Sequence, residues 1–163
     1  MKVVFDLDGV IRDLNQILLE RYNVPYPKIW SWSYKGKGVY DYVKDDYSVL
    51  RDAPPTEYLD VVKQYTKCPE FWTNQPQDWL KHTYKWLQKY FDGYTLIMLG
   101  PEEKYDKLMR NKDVILVEDY PNFKDYSRII LVDRPYNRHI DVPMRVKNAE
   151  EFKKLLDFLK GGL

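Results

Sequence analysis

Asp6 and Asp8 stand one residue apart at the end of the run Val3-Val4-Phe5, and Gly9-Val10 follows them. A short β-branched and aromatic run predicts a buried strand over residues 2–5. At the mouth of such a strand one carboxylate can face a site directly. The second can approach from the next turn, where Gly9 tolerates a positive φ. Carboxylates held that close repel unless a cation sits between them, so the spacing predicts a hard metal such as Mg²⁺.

The elements that must position these acids can be read from periodicity. At 163 residues the chain is long enough for one domain with a core and a small insertion. Leu14, Ile17, Leu18 and Tyr22 recur at helical spacing after the first strand. Residues 23–55 then read as irregular, with Pro25, Pro27, Pro54, Pro55, the turn Lys35-Gly36-Lys37-Gly38 and many aromatics. Together, residues 14–55 predict a small, mainly helical cap inserted after strand one, with the core in residues 1–13 and 56–163. Thr56 is placed to cap a helix carrying Tyr58, Leu59, Val61, Val62 and Tyr65. A weak strand over 69–73 precedes an amphipathic helix with Trp79, Leu80, Thr83, Trp86, Leu87, Tyr90 and Phe91 on one stripe and Gly93 as its stop. Strands over 94–99, 114–117 and 128–132 follow, with a helix over 102–109 between the first two. A last helix starts at Asn148, with Glu151 as capping-box partner, and stops at Gly161-Gly162. Strands alternating with helices predict an α/β fold, a Rossmann-like parallel sheet with helices on both faces.

In such sheets the ligand site lies at the carboxyl ends of the strands. Those ends carry, in order, Asp6 and Asp8, Thr73, Lys104 just past a strand, and Glu118 with Asp119. Two acidic pairs, a hydroxyl and a lysine can hold Mg²⁺ and a phosphate while leaving one aspartate as nucleophile. Lys112 is the alternative lysine, but it sits at the start of its strand, roughly 17 Å from the far end.

Phe5-Asp6-Leu7-Asp8-Gly9-Val10 with Thr73, Lys104 and Glu118-Asp119 resembles the four motifs of the haloacid dehalogenase superfamily of phosphohydrolases. Phe71-Trp72-Thr73-Asn74-Gln75-Pro76, Tyr84-Lys85-Trp86, Val117-Glu118-Asp119-Tyr120-Pro121 and the run from Ile129 to Arg138 are similar to its 5′(3′)-deoxyribonucleotidase branch. The resemblance implies a Mg²⁺-dependent phosphomonoesterase with a phosphoaspartate intermediate, a 5′-nucleotidase on nucleoside or deoxynucleoside monophosphates. Asp6 would attack phosphorus, and Asp8 would protonate the leaving oxygen and then deprotonate water. Thr73 and Lys104 would hold and offset the phosphoryl charge. Asp6, Asp8 (through its backbone carbonyl) and Asp119 would hold the metal. Glu118 stands where the branch has aspartate and is carried as a further metal candidate. The stretch from Lys104 to Glu118 also departs from the family's spacing. Thr73, Asn74, Lys104, Trp30, Trp32 and Arg12 are the candidate substrate contacts. A phosphatase for another small phosphate or a nucleic-acid end, and a weakly catalytic module that binds Mg²⁺ and phosphate, are the alternatives.

Composition narrows the partners. Lys and Arg total 26 against 25 Asp and Glu, which argues against bulk nucleic acid and anionic membrane surfaces. With no signal-like segment and no long apolar run, a soluble cytoplasmic protein is expected, and a homodimer is among the assemblies this allows. The single Cys68 excludes an internal disulfide and is expected to be a small buried hydrophobe. Trp30, Trp32, Tyr34, Tyr40, Tyr42 and Tyr47 fall in the cap, where a base could stack on them or they could form the cap's own core. Arg12 and Asp13 are open to a substrate contact or a solvated turn. His82 and His139 are expected at the surface.

Overall fold

The computed structural model describes residues 1–161. Six parallel strands form one sheet, β1 (Lys2–Phe5), β2 (Glu70–Thr73), β3 (Thr95–Met98), β4 (Val114–Glu118), β5 (Ile129–Val132) and β6 (Arg145–Val146), in the order β3-β2-β1-β4-β5-β6. β1 is central, with Phe5 level with Phe71 on one side and Val117 on the other. The expected α/β architecture is therefore present, with β6, a two-residue strand, as an unforeseen edge.

Period-two alternation explains how this sheet is covered. Val3, Phe5, Phe71, Ile115, Val117, Ile130 and Val132 point to one face. There they meet Tyr58 and Val62 near and on α4 (Leu59–Tyr65), Trp86 and Leu87 on α5 (Leu80–Tyr90), and Phe152 and Leu156 on α7 (Ala149–Gly161). Val4, Trp72, Val114, Leu116 and Ile129 point to the other face, under Leu108 of α6 (Pro101–Arg110). Runs apolar at every position are what a sheet buried on both sides requires.

The segment between β1 and α4 is more regular than its prolines suggest. It forms α1 (Leu14–Tyr22), α2 (Val39–Asp45) and α3 (Ser48–Asp52), whose Leu14, Ile17, Leu18, Tyr42, Val43, Val49 and Leu50 build a second apolar cluster with Trp79. Asp13, instead of facing substrate, caps α1 by accepting the Gln16 N–H at 3.1 Å.

Several local expectations are corrected. Cys68 is exposed, because it lies in the turn that enters β2 rather than in the sheet. His82 is buried, because α3 packs over that side of α5: it stacks on Tyr47 and meets Arg51 at 2.6 Å. Thr56 stands two residues before the α4 cap, where its hydroxyl bonds to the Val10 carbonyl and accepts the Tyr58 N–H. α5 ends at Tyr90, before Gly93. At α7, Asn148 caps the Glu151 N–H, while Glu151 reaches back to the Lys147 N–H. Gly162 lies outside the described residues. Among those described, no helix is long and apolar enough to cross a membrane.

Trp86 joins α5 to the cap. It is fully buried, gives its indole N–H to the Ala53 carbonyl at 2.8 Å and lies 5.7 Å from the Arg12 guanidinium carbon. In urea unfolding, Trp86→Ala should cost about 3–5 kcal/mol. Phe158→Ala, at a side chain 71% exposed, should stay within about 0.5 kcal/mol. A small loss at Trp86 would mean that α5 is not the pillar described.

Candidate functional site

The carboxyl ends of β1, β2 and β4 open into one cavity of about 330 Å³. Asp6 follows β1, Thr73 ends β2, Glu118 ends β4, and Asp119 follows it. Lys104 arrives from α6. Gly100 and Pro101 start that helix directly after β3, so its first turn aims Lys104 back toward β1. Asp6, Asp8, Thr73, Asn74, Lys104, Glu118 and Asp119 all line the cavity. Lys112 is exposed just before β4, on the other side of the sheet from these ends.

Lys104 ties the acids together. Its ammonium gives hydrogen bonds to Asp6 Oδ1 at 2.5 Å and Glu118 Oε2 at 2.9 Å, with all three groups buried. Burial alone would push the ammonium pKa down, but the two carboxylates reverse this and raise it. Glu118 Oε1 accepts the backbone N–H groups of Asp119 and Tyr120, at 3.0 and 3.3 Å. Burial would raise the Glu118 pKa, yet Lys104 and these donors bring it below the usual carboxylate range. With both oxygens accepting hydrogen bonds, Glu118 seats the lysine, while it stays within reach of a cation shared with Asp6 and Asp119.

Asp119 is held differently. Oδ2 accepts the Tyr136 hydroxyl, and Asn137 Nδ2 donates to the Asp119 carbonyl at 3.0 Å. Oδ1 is buried and has no partner. Gly9 passes so close that a Cβ there would sit 1.9 Å from Asp119 Oδ2, and its φ of +84° is open to glycine. Arg134 pins this loop by donating from Nε to the Gly9 carbonyl at 2.8 Å. The turn 134–137 after β5 is thus part of the site.

Asp6, Glu118 and Asp119 each place a carboxylate oxygen within 4.8 Å of the others. Burial first, then the charge of Glu118, drives the Asp6 and Asp119 pKa values well above the usual range. An orphan buried oxygen beside a crowded carboxylate is a donor set suited to a small divalent cation such as Mg²⁺. Asp6 and Asp119 are the residues with oxygens free for it.

One site expectation changes. The Asp8 carboxylate lies outside this cluster, which agrees with its expected metal contact being the backbone carbonyl, and Arg12 holds both its oxygens, at 2.6 and 3.0 Å. Arg12 is completely buried and does not line the cavity, so it is not a substrate contact. The cap aromatics divide. Trp30, Trp32 and Tyr40 line the cavity with Trp79, whereas Tyr34, Tyr42 and Tyr47 pack into the cap. His139 is exposed, as expected.

Metal and proton should compete here. A carboxyl whose pKa is raised by folding takes up protons that the unfolded chain releases. In EDTA, stability should therefore rise as pH falls toward the ordinary carboxylate value of 3.8. The contribution of Glu118, whose pKa is lowered, is lost only below its ordinary value of 4.5. Asp119→Asn should stabilise the metal-free protein at neutral pH, because it removes a buried charge that burial and Glu118 disfavour, and should erase stabilisation by Mg²⁺. Tyr136→Phe should weaken Mg²⁺ binding about 10–100-fold in titration calorimetry. A Mg²⁺ response that survives Asp119→Asn would remove Asp119 from the metal set.

No family model matches the chain, and a search of curated proteins finds no match. What this site can do is carried by its own geometry.

Proposed function

We propose that the protein is a Mg²⁺-dependent phosphomonoesterase of the haloacid dehalogenase type, acting on nucleoside or deoxynucleoside monophosphates. The observation that carries this reading is the constellation around Asp6. A strand-end carboxylate touches a buried lysine at 2.5 Å, beside an unpartnered Asp119 oxygen and within one cavity that Thr73 also lines.

Asp6 is the nucleophile. Lys104, seated by Glu118, fixes its direction and offsets negative charge as the carboxylate approaches a phosphate. Thr73 offers a hydroxyl from the end of β2 to a phosphoryl oxygen. Asp8, on the same cavity wall, transfers the proton to the leaving oxygen and later takes one from water. Bound by Asp6 and Asp119, Mg²⁺ would supply charge neutralisation on the phosphoryl oxygens.

The walls favour a flat, monomeric substrate. Trp30, Trp32, Tyr40 and Trp79 present ring surface to the cavity, and a stacked base gains about 1–3 kcal/mol. Trp30 itself packs edge-on against Tyr120 and Tyr136, with ring centres at 5.1 and 5.5 Å, which places it directly above the neighbours of Asp119. A volume of about 330 Å³ suits a small molecule, and near-neutral charge disfavours a polynucleotide.

Phosphate release from a panel of nucleotides, deoxynucleotides and sugar phosphates tests this. Release should need Mg²⁺, stop in EDTA and fall at least about a thousandfold in Asp6→Asn. Thr73→Ala should lose no more than about a hundredfold. Undiminished turnover by Asp6→Asn would refute the nucleophile, and silence of the folded, Mg²⁺-bound protein across the panel would refute the activity. Trp30→Ala should raise KM for nucleotides by about 5–100-fold while leaving an aryl phosphate almost unchanged. Equal effects on both would assign Trp30 to the architecture of the cap.

A further inference from the structure

Arg12 has no exposed surface, yet it carries a full charge into the protein. Four hydrogen bonds leave its guanidinium: Nε and Nη2 to the two Asp8 oxygens, and Nη1 to the Leu50 carbonyl at 3.1 Å and Thr83 Oγ1 at 3.2 Å. The Thr83 hydroxyl in turn donates to Gln75 Oε1 at 2.8 Å, and the Trp86 ring lies beside the guanidinium carbon. Arg12 is therefore anchored on α3 through Leu50 and on α5 through Thr83 and Trp86, and it spends its remaining donors on one carboxylate.

Burying such a pair brings little net stability, because desolvation offsets most of the attraction. What a two-pronged guanidinium does give is direction, since it fixes the plane of the carboxylate it grips. Asp8 is the carboxylate so gripped, and it lies on the cavity wall beside Asp6.

We propose that Arg12 is a positioning residue that sets the Asp8 carboxylate for proton transfer and links its direction to the seating of α3 on α5. The proposal rests on the phosphomonoesterase reading. In the first half-reaction an Asp6 oxygen bonds to phosphorus as the bond from phosphorus to the leaving oxygen breaks, and Asp8 gives its proton to that oxygen. In the second, a water oxygen bonds to phosphorus, Asp8 takes the water proton, and the bond to Asp6 breaks to release phosphate. A protonated Asp8 can keep one oxygen on Arg12 while the other turns to the cavity, so the fork restricts the acid without blocking it.

The test compares two leaving groups in Arg12→Lys, which keeps the charge but cannot clamp both oxygens. The substrates are p-nitrophenyl phosphate, whose leaving group departs without a proton, and the nucleoside 5′-monophosphate or other alkyl phosphate that the wild type hydrolyses fastest. For the alkyl phosphate, kcat/KM should fall at least about tenfold, within the range that proton transfer contributes to catalysis. For the aryl phosphate it should change less than about threefold, with a burst of p-nitrophenolate followed by slow turnover as water activation becomes limiting. Equal losses on both substrates, or a change confined to KM, would overturn the proposal by making Arg12 merely structural. Should Arg12→Lys fail to fold, Thr83→Val, which removes one anchor of the guanidinium, is read by the same two comparisons. A wild type inactive on both substrates overturns the phosphomonoesterase reading and this proposal with it, whereas an active wild type separates the two.

Discussion

Three carboxylates and one ammonium share a nearly dry space at the carboxyl end of the central strands, and the charges do not cancel. At 4.8 Å, each like-charged pair costs about 3 kcal/mol at an effective dielectric near 20. Lys104 relieves part of this by bridging Asp6 and Glu118, and leaves Asp119 with an oxygen that no group among the described residues satisfies. The fold meets that constraint with backbone as much as with side chains. β1 must be central so that Asp6 stands between β2 and β4. α6 must start immediately after β3 so that Lys104, one turn in, faces back, while Leu108 a turn later seals the sheet.

Such crowding also limits what can surround it. Gly9 leaves no room for a Cβ beside Asp119, and the turn 134–137 supplies a phenol, an amide and a guanidinium to hold Asp119 and the Gly9 loop. These contacts orient the acids without satisfying the last oxygen, an arrangement costly in a purely structural cluster and useful for a cation.

Much of this was legible in the residues. Apolar runs such as Val3-Val4-Phe5 and Ile129-Ile130-Leu131-Val132 are what a sheet covered on both faces demands, and the strand-end rule picked out Asp6, Thr73, Lys104, Glu118 and Asp119 together. What was not legible depends on long-range packing. His82 looks exposed on a charged helix until α3 covers it, and Cys68 looks buried until the turn before β2 carries it out. Arg12, adjacent to a motif, reads as a substrate contact. Its inward course is set by the Leu50 carbonyl and Thr83, 38 and 71 residues away in sequence. β6 is two residues long, too short for periodicity to mark.

The cap is fastened to the core on two sides of unequal strength, and the difference bears on how a substrate reaches Asp6. On one side, Val49 and Leu50 are fully buried and Trp79 nearly so, and the Leu50 carbonyl holds Arg12. On the other, Trp30 touches Tyr120 and Tyr136 with 41% of its surface still exposed, and its neighbour Ile29 is 63% exposed. Separating the first side strands a buried guanidinium and opens an apolar cluster. Separating the second breaks two edge-on ring contacts, each about 0.5–1.5 kcal/mol, at a side chain that is already partly exposed. Segments with few buried contacts open at the lowest free energy. The Trp30 side is therefore held more lightly than the α3–α5 side, and on the proposed function a substrate would enter past the aromatic roof while the Arg12–Asp8 pair beneath stays in place.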